Sequence, residues 1–571
     1  MQNIVFQTLP CSHDAAFTAA INLDNISRGP CTKDTRVDVI KQIMEWVKES
    51  DSTKVPSVYW LTGLAGLGKT TIAYTICEEL KAEHIEFVSF FCSRQLDSKN
   101  SKLLITTICR DLAELFSSFA SELLPVLESN SKIVHAWLPL QMEELFANPW
   151  KISLPHRKCL PVPVVVVDAL DESDCGTEFL KELLDAVDLH KLSGIKFLVT
   201  SRPEPTLFDL CKSFPPNAVC KLHEIDVSDV QKDIEKYLFS ALPDLKNQPN
   251  LVKLASQAEG FFIYAATAVR FISSPSQPLS VHEKCKELQN IVNSWPVSSR
   301  GFEQNAVDEL YQKILGDAFS DDRISNERLQ ILHTVLCAES RISMSVIAHL
   351  SDNNQDTVEK TIESLHAVLF VSSKDECVYW YHTSFPDFIF TQVQAKFSIF
   401  LKKGCPSQEI NVFCDKIAHH AILACQCFSI MRQLLHFNMC NLKSSFQFDC
   451  DVLGLDGEKL RNLPPVLQYA SRHWAAHLSQ AAPADDDTNE LLQFLDDFMC
   501  NQLLFWIEAM NLVDSKHECE SLLKDAEEWF KRVRNFLCIK HNNTDAILGN
   551  TTTGFPGLLV RCCKFFSSFC R

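Results

Sequence analysis

The chain has 571 residues, 46% of them hydrophobic, which is ample for several buried cores and excludes a mainly disordered protein. Its net charge of −18 argues against a dedicated nucleic-acid surface, which needs a basic face, and no long Lys/Arg run is present. The 24 cysteines are scattered, without the spacing of a small disulfide framework, and the start Met1-Gln-Asn-Ile-Val-Phe lacks a secretory pattern. A reducing, cytoplasmic location is the expectation, and Asn542-Asn-Thr544 and Asn550-Thr-Thr552 are read as chance sequons.

Residues 1–30 carry little pattern and read as a short lead-in. Val37, Ile40, Met44 and Val47 recur at helical spacing between Thr35 and Glu49 and predict an amphipathic helix. Apolar runs at Val58–Thr62, Phe87–Cys92, Val164–Val167 and Phe197–Thr200 then alternate with helical segments to about residue 225. The last three are short and almost entirely apolar, as parallel strands covered on both faces must be. A doubly wound, parallel α/β sheet follows as the fold class.

Between the first strand and its helix stands Gly63-Leu64-Ala65-Gly66-Leu67-Gly68-Lys69-Thr70-Thr71, the P-loop spacing in its proper strand–loop–helix context. Glycines allow the backbone to wrap an oxyanion, and the loop amides with the helix N-terminus offer a concave positive field. Lys69 is placed for the β- and γ-phosphates and the Thr70 hydroxyl for Mg²⁺. Val164–Val167 runs into Asp168-Ala-Leu-Asp171-Glu172. A carboxylate at the tip of a central strand suits a nucleotide's metal, so Asp168 is the second metal candidate. Asp171 and Glu172 are candidates to orient or deprotonate an attacking water. Arg202, in Thr200-Ser-Arg-Pro-Glu204, ends another buried strand; if that strand neighbours the P-loop strand, its guanidinium stands beside the γ-phosphate.

Beyond residue 226 strand signals nearly vanish. Asp229–Leu238 and Leu251–Ile272 read as helices, and Pro278 and Pro296 bracket a connection. Leu329, Leu332 and Leu336 mark one helix, Ser343–Leu350 a second, and Val358, Ile362, Leu365 and Leu369 a third. Phe370-Val371 and Val378–Tyr381 then flank the polar Ser372–Glu376 as a hairpin, completing a winged-helix pattern. Residues 393–535 read as helices, Asp485–Asp487 as a solvated loop, and the stretch from 536 as an irregular tail. Cys414, His419, His420, Cys425 and Cys427 fit no structural-zinc spacing, and His473-Trp-Ala-Ala-His477 lacks the glutamate of a zinc protease. Both groups, like Phe505 and Trp506, are read as packing.

Together these residues resemble the NACHT branch of the signal-transduction ATPases with numerous domains (STAND), especially its fungal NOD-like members. The resemblance rests on Cys31–Arg36, Gly63–Thr71, Phe90–Arg94, Val164–Glu172, Thr200–Glu204, Gly260–Thr267 and His382-Thr-Ser-Phe-Pro-Asp387-Phe388, and covers roughly residues 20–535. It implies a NACHT nucleotide-binding domain over 31–225, a small helical domain over 226–300, a winged helix over 301–392 and an α-helical region over 393–535. It also implies a switch: ADP clamped in a closed state, with exchange for ATP promoting opening and self-association. Carried over, His382 contacts the β-phosphate of ADP, and Arg36 lies near the base or ribose. The chain departs from the pattern at Gly260-Phe-Phe, where relatives place glycine–proline, and no effector or repeat array is read before 30 or after 535. The expected ligands are ATP or ADP, with GTP as the alternative, and Mg²⁺. Slow hydrolysis is expected, with an unidentified protein partner and no membrane span. The competing readings are a non-hydrolysing, nucleotide-stabilised scaffold and a metabolic P-loop kinase.

Overall fold

A computed structural model describes residues 8–20, 29–49, 56–95, 102–212, 214–273, 279–293, 306–319, 325–373, 375–399, 408–443, 452–482 and 487–541. The chain divides into two compact units: residues 1–317 with 365–388, and residues 318–364 with 389–571.

The first unit is built on five parallel strands: β1 (Val58–Thr62), β2 (Phe87–Phe91), β3 (Val164–Asp168), β4 (Lys196–Ser201) and β5 (Val219–Lys221), in the order β2-β3-β4-β1-β5. The apolar runs form the expected strands within a residue or two. β5 has only three residues and escapes the pattern. β1 and β4 are neighbours in register from Val58 opposite Phe197 to Thr62 opposite Ser201, so the P-loop and Arg202 leave adjacent strand tips.

Side-chain alternation sorts the sheet into two cores. Trp60, Val88, Phe90, Val165, Val167, Phe197 and Val199 face one side, packed against helices that include α3 (Leu104–Leu115) and α4 (Gly176–Asp188). Tyr59, Leu61, Phe91, Val164, Val166 and Leu198 face the other, against α1 (Val37–Lys48) and α2 (Lys69–Ala82). Each such buried side chain contributes roughly 1.5–3 kcal/mol, so the sheet rigidly fixes its strand tips. The α1 helix is present, but its apolar face is rotated from the expected stripe. Val37 is exposed, while Val39, Ile43, Trp46 and Val47 are buried with Met44, because Trp46 offers more apolar area than Val37. Lys196 at the foot of β4 donates to the carbonyls of Trp46, Val47 and Glu49, a cation closing the negative end of α1.

The supposed lead-in belongs to this core. Leu9, Ala15 and Phe17 are buried, Ser12 N–H donates to Thr107 Oγ1, and Phe17 N–H donates to Ser89 Oγ of β2. The segment read as one helix over 251–272 is two, Pro249–Gln257 and α5 (Phe262–Ile272). Glu259 and Gly260, both at positive φ, break it. Antiparallel strands β6 (Leu369–Val371) and β7 (Cys377–Trp380) form the expected hairpin in this unit.

The second unit contains helices Ser325–Cys337, Met344–Leu350 and Gln355–Ser364, then α6 (Lys416–Leu434), α7 (Pro465–Gln480) and further helices to residue 541. Its reading as helix alone needs one correction. Lys396–Ile399 and Gln408–Asn411 pair as an antiparallel ladder, too short to show an alternating pattern. Asp487 opens a helix rather than lying in a loop; Asp485 and Asp486 lie outside the described residues. Pro278, Pro296 and everything beyond 541 also lie outside them. Trp506 is fully buried, as read.

Candidate nucleotide site

The loop leaves β1 at Thr62 and turns into α2 at Lys69, with Gly66 and Gly68 at φ +82° and +92°, backbone that a side chain would strain. An added Cβ on Gly66 would meet Ile263 Cγ2 at 2.1 Å, whereas one on Gly68 would meet open space. The first glycine is therefore required by packing, and the second faces the concavity. Ile263 N–H donates to Gly66 C=O at 3.2 Å, so the start of α5 is seated on the loop. The Gly260-Phe-Phe departure thus leads directly into the site wall, through a residue the sequence reading did not single out. The signal was present in the adjacent glycine and apolar run.

Lys69 is buried, and its amine donates to Gly63 C=O at 2.8 Å and Leu64 C=O at 3.1 Å. Burial lowers its pKa, while the nearby Asp171, Asp168 and Glu172 carboxylates oppose that shift and Arg202 adds to it. The motif residues named from sequence are therefore electrostatic neighbours. Thr70 and Thr71, half-buried, occupy the first turn of α2.

Asp168 is fully buried at the tip of β3. Its Oδ1 accepts from Thr200 Oγ1 at 2.6 Å, and the same hydroxyl accepts Ala169 N–H at 2.9 Å. Thr200 thus holds the carboxylate at the strand tip across the β3–β4 pair. A fixed buried carboxylate near a buried lysine, a glycine-lined concavity and a helix N-terminus fit a phosphate with a hard cation.

Arg202 does not project freely over this concavity. Its N–H donates to Asp171 Oδ1 at 2.8 Å and its Nε lies 3.2 Å from Asp171 Oδ2. The two terminal nitrogens reach Asp387 Oδ2 at 2.6 Å and Thr383 Oγ1 at 2.7 Å. Burial works against the guanidinium charge, but Asp387, then Asp171 and Glu172, outweigh it and raise its pKa. Thr383 in turn donates to Glu172 Oε1 at 3.1 Å, and Glu172 Oε2 lies 3.4 Å from Arg94 N–H. Arg94 Nη1 reaches Asp387 Oδ1 at 3.2 Å. Gln95 exchanges two hydrogen bonds with the Trp380 backbone of β7. Glu172 and Arg202 directly, and Asp171 through Arg202, are therefore tied to the segment after the hairpin. Arg94, Gln95, Thr383 and Asp387 join the site; all but Gln95 lie in stretches that carried the family resemblance, but without an assigned role.

His382 lies within this segment, half-buried. Its Nδ1 accepts Ser384 N–H at 3.1 Å and is 2.7 Å from Ser384 Oγ, which is 2.8 Å from Tyr311 OH. Acceptance at Nδ1 puts the proton of a neutral ring on Nε2. Arg36 is buried behind the loop: one terminal nitrogen donates to Leu67 C=O at 2.9 Å, and its guanidinium lies 4.9 Å from the Phe262 ring. Its backbone has φ +55°, and its N–H donates to Asp233 Oδ2. Arg36 thus buttresses the P-loop from the side of helix Val227–Ala241.

The sheet order, P-loop and strand-tip carboxylates define a P-loop NTPase core. Residues 39–202 match the family model "Nephrocystin 3, N-terminal". No curated protein sequence matches the chain. Solved structures similar to it include a STAND protein with a tetratricopeptide repeat sensor from Pyrococcus horikoshii. That likeness has 12% identity and a TM-score of 0.34, covering 90% of this chain and 66% of that one. Domain III of the replication initiation protein DnaA from Thermotoga maritima has 13% identity and a TM-score of 0.26, covering 49% and 98%. A RuvB variant from Thermotoga maritima has 11% identity and a TM-score of 0.25, covering 59% and 90%. The present chain thus spans just under two thirds of the first of these. No described helix is long and apolar enough to cross a membrane.

Proposed function

We propose that this chain is a nucleotide-dependent switch of the fungal NOD-like type. It binds ATP or ADP with Mg²⁺, hydrolyses ATP slowly, and couples exchange to opening and self-association in a signalling response. Lys69 and the loop amides would hold the phosphates, and Thr70 and Asp168 the cation, whose charge would stabilise phosphate oxygens. The winged-helix and small helical domains would act as the moving walls.

The observation carrying this reading is the arrangement of Arg202. Arg202, the guanidinium proposed to answer a γ-phosphate, is tied to Asp387 and Thr383, which follow His382 at the end of the hairpin. An anion that draws Arg202 away would loosen that segment, and the gain can be no larger than the difference in nucleotide affinity between the two arrangements. Glu172, occupied by Thr383 and Arg94, is not held as a base for water here, which favours slow turnover. It also keeps the scaffold reading in play. Turnover absent in both the natural chain and Glu172→Gln would select the scaffold.

The decisive measurement is the mass and shape of the purified chain with ADP, with a non-hydrolysable ATP analogue, and as Lys69→Arg. The analogue should produce a larger species that ADP and Lys69→Arg do not. Indifference to all three conditions overturns the switch.

A further inference from the structure

The second unit holds a buried polar cluster that the nucleotide site does not use. His420 stands on α6 and His477 on α7, and Glu339 follows helix Ser325–Cys337. Their ligating atoms all lie within 4.8 Å of one another, the one such trio of His, Cys, Asp or Glu side chains among the described residues. The fold thus joins two sequence fragments that were dismissed separately on spacing. Each supplies one histidine, and Glu339, just past the end of another helix, supplies a carboxylate.

The two Nδ1 atoms are 2.9 Å apart. Two nitrogens on a tetrahedral zinc-like ion stand about 3.3 Å apart, given metal–nitrogen bonds of about 2.0–2.1 Å, so an opening of a few tenths of an ångström admits the ion. The second nitrogen of His477, Nε2, lies 2.8 Å from Tyr469 OH, and that oxygen accepts Glu339 N–H at 3.1 Å. A ligating histidine needs such a partner on its other nitrogen to fix the ring and the tautomer. His473, one turn from His477, is similarly placed 3.0 Å from Ser340 Oγ. Both imidazoles are buried, and it is as a neutral ring that an imidazole gives its lone pair to a metal. Glu339 is half-buried, and its Oε1 accepts from Gln480 Nε2, which holds the carboxylate at the edge of the cluster. Two imidazoles and a carboxylate favour zinc, cobalt or nickel over magnesium or calcium.

We propose that Glu339, His420 and His477 form a binding site for a zinc-class divalent cation, clamping α6 and α7 to the segment that follows Cys337. The test uses the full chain, stripped with chelator and returned to zinc alone, then to cobalt alone. The natural chain should retain one more zinc per chain than Glu339→Gln or His420→Asn, whose affinity at this site should fall about 100-fold. Cobalt should give visible ligand-field bands without a sulfur-to-cobalt band in the near ultraviolet. Zinc should raise the melting temperature of the natural chain and of Glu339→Asp, but not of Glu339→Gln. Melting each variant in zinc-free buffer separates misfolding from lost ligation, and half-buried Glu339 supplies a variant that is expected to fold. Equal zinc content and equal cobalt bands in the natural chain and both variants would place any bound metal on other groups, such as the cysteines, and overturn the site.

Discussion

The two units each bury a polar cluster, but they solve the desolvation problem in opposite ways. Around Arg202, charge is retained: one guanidinium is shared by Asp171 and Asp387, and the pairing outweighs burial. Around His477, charge is discarded: burial disfavours the imidazolium, and Tyr469 and His420 partner the ring's two nitrogens. A retained charge pair can be competed for by an ion that arrives later, so it suits a site where ligands exchange. A neutral, hydrogen-bonded pair answers only to a group that wants lone pairs, and otherwise behaves as core. The difference marks one cluster as a place of change and the other as a place of fixation.

The neutral cluster depends on a dry surrounding, so its aromatic cover is the most sensitive point. Trp474, one turn from His477, is fully buried and packs against Phe428, Phe498 and Trp506. Trp474→Ala should cost about 3–5 kcal/mol through lost burial and the cavity left behind. Urea unfolding followed by a probe in the second unit measures this. A loss below about 1 kcal/mol would mean that water already reaches the histidines, and the contrast between the clusters would collapse.

Asp111 on α3 shows what happens in the first unit when compensation is incomplete. Burial, then Glu114, pushes its carboxyl up to about 6 from an ordinary 3.8, against the opposing charge of Arg110. Arg110 also donates to Cys11 Sγ at 2.9 Å. Because the folded value is raised, the favourable contribution is complete below about pH 3.8 and is lost as pH rises through about 6. At pH 7.5 the ionised group is therefore a liability. Asp111→Asn should gain roughly 2 kcal/mol there and nothing near pH 4. Urea midpoints at the two pH values check it. An equal gain at both would assign the effect to packing, and the charge-retention account of this unit would lose its exception.

What the sequence disclosed follows the same division between local and distant causes. The strands, the P-loop and the acidic tip of β3 are short-range patterns, and each lies where its residues indicated. Adjacency of β1 and β4, which sets Arg202 near the loop, was stated only as a condition, because strand order is a property of the assembled sheet. Asp387 and Arg94 are nearly 300 residues apart, and nothing in their local composition announces a shared contact. His420 and His477 failed every spacing rule for the same reason: each rule assumes that the ligands come from one stretch of chain. The rotated face of α1 has a different cause. Spacing alone gave the stripe Val37, Ile40, Met44 and Val47, and the larger Trp46 side chain turned the buried face away from Val37.

The contact that most directly tests the exchangeable cluster is Arg202 with Asp387. Asp387 is partly exposed, its side chain at 37%, so the pair's direct contribution to stability is modest, about 1 kcal/mol or less. Its expected effect on ligand preference is comparable in size but opposite in consequence. Asp387→Asn keeps the shape and the hydrogen-bonding reach toward Arg94 while removing the charge that competes with a γ-phosphate for Arg202. Affinity for a non-hydrolysable ATP analogue should then rise about ten-fold relative to ADP, equivalent to about 1.4 kcal/mol. Arg202→Lys should abolish that preference, because an ammonium cannot span Asp387 and Thr383 as the planar fork does. Competition binding with both nucleotides on the three chains separates the cases. If Asp387→Asn weakens ADP and the ATP analogue equally, Asp387 supports the fold of the hairpin segment and takes no part in choosing between nucleotides. If only the ATP analogue gains, the salt bridge is what opposes exchange, and the charge retained in this unit is retained because it can be released.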